Sequence, residues 1–240
     1  ISTSHPLWLV KMFKAQYGLE TTKKILKADN EVPLKTGRVN TYKISRADFL
    51  KQYPAFKEGH LSKDSVLLEE GNIAHTEAFK QGLVTIQDES SQMVARLLDP
   101  SGDDIVLDMC GAPGSKTTHL GALMHNKGLI DVYDLYPHKA KLIQDNASRL
   151  GLTNIHVHTG DSTDLSLFDK KYTKILLDGP CSGLGVLSRK PEIKYHDSNI
   201  MDEIILIQSK LLENAYSLCL NGGRIVYSTC TLNKKENEKQ

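Results

Sequence analysis

The stretch Ile105-Val-Leu-Asp-Met-Cys-Gly-Ala-Pro-Gly-Ser-Lys-Thr-Thr-His-Leu-Gly-Ala-Leu-Met124 decides how the rest of the chain is read. Ile105 to Met109 is an apolar run of strand length, and Lys116 to Met124 has helical length and spacing. Between them, Gly111 and Gly114 permit positive φ and a close approach of backbone to a ligand. The helix that follows presents unpaired amides to an electron-rich group. The spacing is neither the G-x-G-x-x-G of dinucleotide folds nor the G-x-x-x-x-G-K-[ST] of phosphate loops.

Downstream the same texture repeats. Leu129 to Tyr133, Ile155 to Val157, Ile175 to Leu177 and Arg224 to Tyr227 read as strands, and His138 to Leu150 and Asp202 to Leu218 as helices. Such alternation predicts an α/β fold, a mostly parallel Rossmann-like sheet with helices on both faces and ligands beyond the carboxyl ends of its strands. Upstream the pattern is different. His5 to about Asp29 reads as two short helices around Gly18, followed by a weak strand over Arg38 to Ile44 and a helix over Arg46 to Lys51 capped by Ser45. Ser65 to Leu68 and Leu83 to Gln87 read as strands, and Asp88-Glu-Ser-Ser91 opens a helix over Gln92 to Leu98. The expected junction lies near Gly71 to Gln81, giving a small α+β appendage over 1–75 and a principal domain over 76–240.

At 240 residues with 40% hydrophobic content, the chain has enough apolar material for a sizeable core, which excludes a disordered chain. Its apolar runs fall far short of the ~20 residues a bilayer span needs, so no membrane partner is expected. The start at Ile1 lacks a methionine and a basic, then apolar, leader, which predicts no signal peptide and a piece of a longer protein; a cytoplasmic location is expected, but not from this start. Four cysteines without C-x-x-C spacing argue against a disulfide framework and against a metal site. A formal charge of +1 hides an asymmetry: residues 1–63 hold 12 Lys and Arg against 5 Asp and Glu, leaving 18 against 24 for the rest. A basic appendage on an acidic body suggests a polyanion-binding element, although a solvated basic face would look the same.

The strand ends carry the chemistry. Asp134 closes the second strand, 20 residues after Gly114, where an acid commonly grips ribose hydroxyls, and Asp161 follows the third. Any one of these acids could simply cap a turn. Together with the glycine turn they point to an adenosine-type cofactor, and S-adenosylmethionine fits better than a dinucleotide. The fourth strand runs into Asp178-Gly-Pro-Cys181 and the fifth into Ser228-Thr-Cys230, so two cysteines fall at neighbouring strand ends. Cys219, inside an apolar helix, reads as inert packing.

These motifs resemble those of the Sun-type (NOP/Sun) RNA cytosine-5 methyltransferases. The likeness rests on Asp108 to Lys116, on Asp178-Gly-Pro-Cys181, and on Thr229-Cys230 after Gly222-Gly223. Ser4-His-Pro-Leu-Trp-Leu-Val10, Arg38-Val-Asn40 and Gln87-Asp-Glu-Ser-Ser91 resemble its bacterial small-subunit ribosomal RNA branch. Gly111 and Ser115 stand where that family usually has Ala and Gly, and Gly179 replaces a common Ala. The resemblance also implies further sheet strands after this chain and a helical domain before it.

By that resemblance the fold is the Rossmann-like class I methyltransferase sheet, and a monomer is expected. Cys230 would be the nucleophile that attacks cytosine C6, activating C5 toward the methyl donor. Cys181 would act in resolving the adduct, and Asp178 would hold the base edge near N3 and N4. Cys110, Gly111, Ala112, Pro113, Gly114, Ser115, Lys116, Asp134, Lys139, Asp161 and Asp178 match the S-adenosylmethionine pocket. The substrate would be RNA, with small-subunit ribosomal RNA favoured over tRNA or another RNA. Candidate RNA contacts are Lys35, Arg38, Lys43 and Arg46 in the appendage and Arg189, Lys190 and Lys194 after the Cys181 turn, with Tyr195 placed to stack or to pack. Two other readings compete: a DNA cytosine methyltransferase, in which Cys181 would be the nucleophile, and a non-catalytic RNA-binding module on the same scaffold.

Overall fold

Short apolar runs punctuated by glycine turns form two sheets of opposite character in this chain. A computed structural model describes residues 3–195 and 200–240. It divides into two units assembled from separated segments: Leu34–Asp178 with Leu211–Tyr227, and Ile1–Pro33 with Gly179–Lys210 and Ser228–Gln240. In chain order the elements are α1 (Leu7–Ala28), β1 (Thr36–Val39), α2 (Arg46–Gln52), β2 (Phe56–Glu58), β3 (Ser65–Leu68), α3 (Glu77–Lys80), β4 (Val84–Ile86) and α4 (Glu89–Leu98). Then follow β5 (Ile105–Asp108), α5 (Ser115–Leu123), β6 (Leu129–Asp134), α6 (Pro137–Leu150), β7 (Ile155–Thr159), β8 (Tyr172–Asp178), α7 (Ile200–Leu218) and β9 (Cys219–Ser228).

In the unit containing Leu34–Asp178, the first sheet has the order β2-β3-β1-β4, and all its pairs are antiparallel. Phe49, Phe56, Val66, Ile73 and Val84 close its core. Ser45 caps α2 as expected, its hydroxyl accepting from the Asp48 amide at 3.1 Å. Asp88 precedes α4 without a side-chain capping bond, unlike the expected opening of that helix. The second sheet has the order β7-β6-β5-β8-β9, with β5–β6, β5–β8 and β6–β7 parallel. This is the Rossmann-like arrangement expected from the alternation. Val106, Ile130, Val132 and Leu176 pack one face against α4, α5 and α6, while Leu107, Ile175 and Leu177 pack the other against the Leu211–Leu218 part of α7.

Polar contacts fasten the antiparallel sheet to the parallel one inside this unit. Asn40 Nδ2 donates to Gly82 O at 3.0 Å and to Leu150 O at 2.9 Å, the last residue of α6. Arg149 donates to Phe79 O and Val84 O and lies 3.8 Å over the Phe79 ring. Asp64 receives a bidentate pair from Arg96, Nε at 3.0 Å and Nη2 at 2.6 Å, and contacts His119 Nε2 on α5 at 2.9 Å. Burial alone would raise the Asp64 carboxyl, but its bonds from His119 and Arg96 outweigh burial and hold it at about 2.

In the other unit, α1 is broken at Gly18, whose φ of 76° and ψ of 170° separate two helical pieces as the sequence suggested. Leu9, Phe13 and Leu26 pack on Leu184, Leu187 and Ile193. Tyr17 donates to Leu232 O at 2.6 Å. Among the described residues no helix is long and apolar enough to cross a membrane.

His119 gives this fold a pH signature. Burial first, then the Arg38 charge, lowers it to about 4, so at neutral pH the imidazole is neutral and donates through Nε2 to Asp64. Its Nδ1 is buried without a partner, so a second proton there would have no acceptor. Between pH 4 and 6.5 the unfolded chain binds this proton and the folded chain does not, so stability falls as pH drops through that window. Asp108, raised by burial to about 7, acts with the opposite sign over nearly the same range. A comparison with His119→Gln cancels that contribution. The stability advantage of wild type over His119→Gln, measured by urea unfolding, is expected to shrink by roughly 1–3 kcal/mol from pH 7 to pH 4. A constant difference would show that His119 titrates normally in the folded state.

Candidate active site

Four carboxylates gather at the carboxyl ends of the parallel strands. Asp108, Asp134 and Asp178 are the last residues of β5, β6 and β8, and Asp161 lies two residues past β7. Burial first, then the charges of Asp108, Asp134, Asp178 and Asp161, pushes the Cys110 thiol up, so Cys110 stays protonated at the centre of this acidic cluster. Asp108 is buried, accepts from Thr117 Oγ1 at 2.7 Å, and leaves Oδ1 without a partner. Asp134 accepts from the Tyr136 amide at 3.2 Å and the Ala112 amide at 3.3 Å. Asp178 pairs with Lys116 Nζ at 2.6 Å. Asp161 is exposed and accepts from Thr163 N and Oγ1, the bonding of a turn cap.

The glycine turn is built on these strands. Gly111 N donates to Tyr133 O at 2.9 Å, and Gly114 N to Gly111 O at 2.7 Å. Gly114 has φ +96°, and a Cβ there would sit 3.1 Å from Ile143 Cα, so α6 packs directly on the turn. Asn146 Nδ2 bonds Pro113 O at 2.9 Å from the same helix. Ser115 and Lys116 open α5. Lys139 is exposed on α6, with Nζ 5.0 Å over the Tyr136 ring. The orphaned Asp108 oxygen and the clustered negative charge suit a cationic, hydroxyl-bearing adenosine derivative.

In the unit containing Gly179–Lys210 and Ser228–Gln240, the two cysteines meet. Cys181 Sγ and Cys230 Sγ are 3.0 Å apart, and the Cys230 amide donates to Cys181 Sγ at 3.3 Å. Cys230 is exposed, whereas Cys181 is half-buried and lines a cavity of about 70 Å³ with Trp8, Leu184, Ile193 and Met201. The hydrogen bond to Cys230, then burial, then the Cys230 charge, raises the Cys181 thiol well above the ordinary cysteine range. Of the pair, Cys181 is the thiol held protonated.

Residues flanking the thiols have no forerunner in the sequence reading. Ser182 Oγ and Thr231 Oγ1 are 2.8 Å apart, and both Ser182 N and Ser182 Oγ donate to Glu236. Spacing offers no cue to this cluster, because Ser182 lies 49 residues before Thr231 and 54 before Glu236. Among the described residues no group of three or more His, Cys, Asp or Glu is placed to hold a metal ion.

The basic residues divide. Lys35, Lys43, Arg189 and Lys190 are exposed, Lys43 Nζ donating to Gln81 O and Arg149 O. Arg46 is half-buried, donates to Ser62 O and lies 3.5 Å from Glu58. Two candidates for phosphate contact are instead internal. Arg38 is 1% exposed, bonded to Gln87, Ser115 O and Thr118, and Lys194 is 5% exposed with Nζ 3.3 Å from Asn30 Oδ1. Neither cation reaches a polyanion, because each is used to satisfy acceptors inside the protein. Tyr195 is 76% exposed.

Residues 95–240 match a family described as 16S rRNA methyltransferase RsmB/F, and residues 5–72 match its RsmF/B-like ferredoxin-like domain. A Bacillus subtilis protein named "Probable ribosomal RNA small subunit methyltransferase B" is 45% identical over 99% of this chain and 55% of its own. A Yersinia pseudotuberculosis protein named "Ribosomal RNA small subunit methyltransferase B" is 34% identical over 98% of this chain and 56% of its own. This chain thus spans about half the length of the curated relatives it matches. A solved methyltransferase homologue from Pyrococcus horikoshii superposes with a TM-score of 0.87 at 32% identity, covering 99% of this chain and 77% of that one.

The packing of the turn gives a direct test. A Cβ on Gly111 would lie 2.1 Å from Val132 Cγ2, so Val132 occupies the space that an alanine there would need. Gly111→Ala is expected to destabilise the protein by roughly 1–3 kcal/mol through overpacking. Val132→Ala added to it should restore part of that loss, giving a coupling of about 1 kcal/mol or more in urea unfolding. Additive losses would show that the two side chains do not compete for this space.

Proposed function

This chain belongs to the 16S rRNA methyltransferase RsmB/F family, and from that premise we propose that it transfers a methyl group from S-adenosylmethionine to C5 of a cytosine in small-subunit ribosomal RNA. The observation that carries this reading is the pair of thiols 3.0 Å apart, one exposed and one held protonated. On this reading 1–75 is an RNA-binding appendage and 76–240 the catalytic domain, a division supported by the separate family matches.

Cytosine C5 is too weak a nucleophile to react with a sulfonium unaided. The Cys230 thiolate bonds to C6, and the displaced ring electrons gather at C5. Asp178, neutralised by Lys116, holds the base edge near N3 and N4. S-adenosylmethionine supplies the methyl group, whose bond to sulfur breaks as its bond to C5 forms. Asp134 and buried Asp108 beside the Gly111 to Gly114 turn would hold that cofactor, with Asp161 and Lys139 at the margin.

Release needs a base for the C5 proton. While Cys230 carries the charge, Cys181 keeps its own proton. Once Cys230 is bonded to C6, that charge and that acceptor are gone, which leaves burial alone opposing ionisation of Cys181. The Cys181 thiolate takes the C5 proton, the electron pair re-forms the C5–C6 double bond, and the C6–S bond breaks to return the thiolate to Cys230. The DNA-type assignment, with Cys181 attacking, would place the charge on the more buried thiol, which the same pair disfavours. Exposed Lys35, Arg189 and Lys190 are the proposed phosphate contacts.

Incubation with small-subunit ribosomal RNA and radiolabelled S-adenosylmethionine should place label in 5-methylcytosine. Cys230→Ala is expected to lower that rate by roughly three orders of magnitude or more. Cys181→Ala should accumulate a protein–RNA adduct that survives denaturation as a shifted band. An active Cys230→Ala would remove the nucleophile assignment, and an active Cys181→Ala without adduct would remove Cys181 from release. Asp134→Ala should weaken S-adenosylhomocysteine binding by about ten-fold or more in calorimetry, the loss of roughly one charge-assisted contact.

A further inference from the structure

Each cysteine of the pair is followed by a hydroxyl residue, Ser182 after Cys181 and Thr231 after Cys230. Those hydroxyls are bonded to each other at 2.8 Å. Beneath them lies Glu236, 0% exposed, in a 3₁₀ turn over Lys234–Glu236 whose Asn233 cap accepts from the Lys235 amide at 3.2 Å. Glu236 Oε2 accepts from Ser182 N at 2.8 Å and from Gln208 Nε2 at 3.2 Å, and Oε1 accepts from Ser182 Oγ at 2.5 Å and from Asn233 Nδ2 at 3.0 Å. Gln208 Nε2 also donates to Pro180 O at 2.8 Å, so the residue before Cys181 is held as well.

The directions of these bonds are fixed by chemistry. An ionised carboxylate only accepts, so the Ser182 hydroxyl donates to Glu236 and must accept from Thr231. The chain runs Thr231 to Ser182 to Glu236, one segment leading into the other. Gly185 adds a second tie, its amide donating to Cys230 O at 2.9 Å, where a Cβ on Gly185 would meet that same oxygen at 2.9 Å. A buried carboxylate is tolerable only when its acceptor sites are filled, and here four donors from Ser182, Gln208 and Asn233 fill them.

We propose that Glu236 is a positioning residue that fixes the spacing of the Cys181 and Cys230 thiols. It touches neither sulfur. It anchors the residue after Cys181 directly and the residue after Cys230 through the Ser182 hydroxyl, so one carboxylate ties both thiol-bearing segments, beside the Gly185 N to Cys230 O and Cys230 N to Cys181 Sγ bonds. Its catalytic consequence rests on the methyltransferase reading above, whereas its geometric consequence does not. In Glu236→Gln, one acceptor becomes an N–H donor facing donors, which breaks the chain with almost no change in volume.

The test is the rate at which dibromobimane bridges the two thiols in the full 240-residue chain, with the bridged peptide identified by mass spectrometry. Glu236→Gln and Ser182→Ala are each expected to slow bridging about five-fold or more, while iodoacetamide alkylation of each thiol alone, in Cys181→Ala and Cys230→Ala backgrounds, changes less than about two-fold. Bridging at the wild-type rate in folded Glu236→Gln overturns the proposal, and where Glu236→Gln does not fold, wild-type bridging in Ser182→Ala overturns it equally. In methyl transfer, Glu236→Gln should lower kcat by roughly ten-fold or more with KM for RNA nearly unchanged, a split that simple loss of folded protein would not mimic when rates are scaled to active sites. Unchanged kcat overturns it too. If wild type transfers no methyl group yet bridging still depends on Glu236, the reaction assigned to the chain fails and the positioning role stands.

Discussion

A guanidinium buried to 1% exposure is the constraint on which the cofactor end of the larger unit depends. Arg38 leaves β1 and donates to Gln87, to Ser115 O at the start of α5, and to Thr118 Oγ1. Burial lowers its pKa to about 9, which still leaves it charged at neutral pH. Removing these acceptors would strand a cation in the interior, so the antiparallel sheet and the first turn of α5 are obliged to stay together. Asp64 imposes the same obligation one turn further along, through Arg96 on α4 and His119 on α5. The glycine turn therefore rests on charge satisfaction from below as well as on apolar packing of Ile143 and Val132 from the sides.

This explains which parts of the protein were legible in its sequence. Strands with apolar centres were found within a few residues, and Asp108, Asp134 and Asp178 close β5, β6 and β8 where ligand-binding acids were expected. Boundaries failed where local chemistry misleads. β8 begins at Tyr172, because Thr173 bonds Asp104 and Ile105 outside the apolar run, and β9 begins at Cys219, through an Asn-Gly-Gly segment that reads as a turn. β2, three residues long, exists only because β3 is beside it.

Charge was less legible than apolarity, for a physical reason. A lysine or arginine is read locally, but whether it reaches solvent is decided by distant partners. Arg38 is satisfied by residues 49 to 80 positions away, and Lys194 by Asn30, 164 positions away. The same holds for Glu236, which sits in a charged tail that reads as solvent-exposed yet is buried by donors from Ser182 and Gln208. The cysteines were legible because strand ends are predictable. What lies between their side chains was not.

The thiol pair shows how one residue type can carry two opposed roles. Cys230 is exposed and Cys181 half-buried, and the first cause of the raised Cys181 thiol is its hydrogen bond to Cys230, ahead of burial. Burial is permanent, but the hydrogen bond and the charge last only while Cys230 is unreacted. On the proposed reaction, the step that consumes the Cys230 thiolate removes two of the three causes that hold the Cys181 proton, so attack eases the release step that follows it. That ordering needs the sulfurs close enough to share a proton and no closer, since a covalent bond between them would abolish both functions. A spacing of 3.0 Å held by the hydrogen-bonded segments around the cysteines as well as by the contact between them meets that requirement.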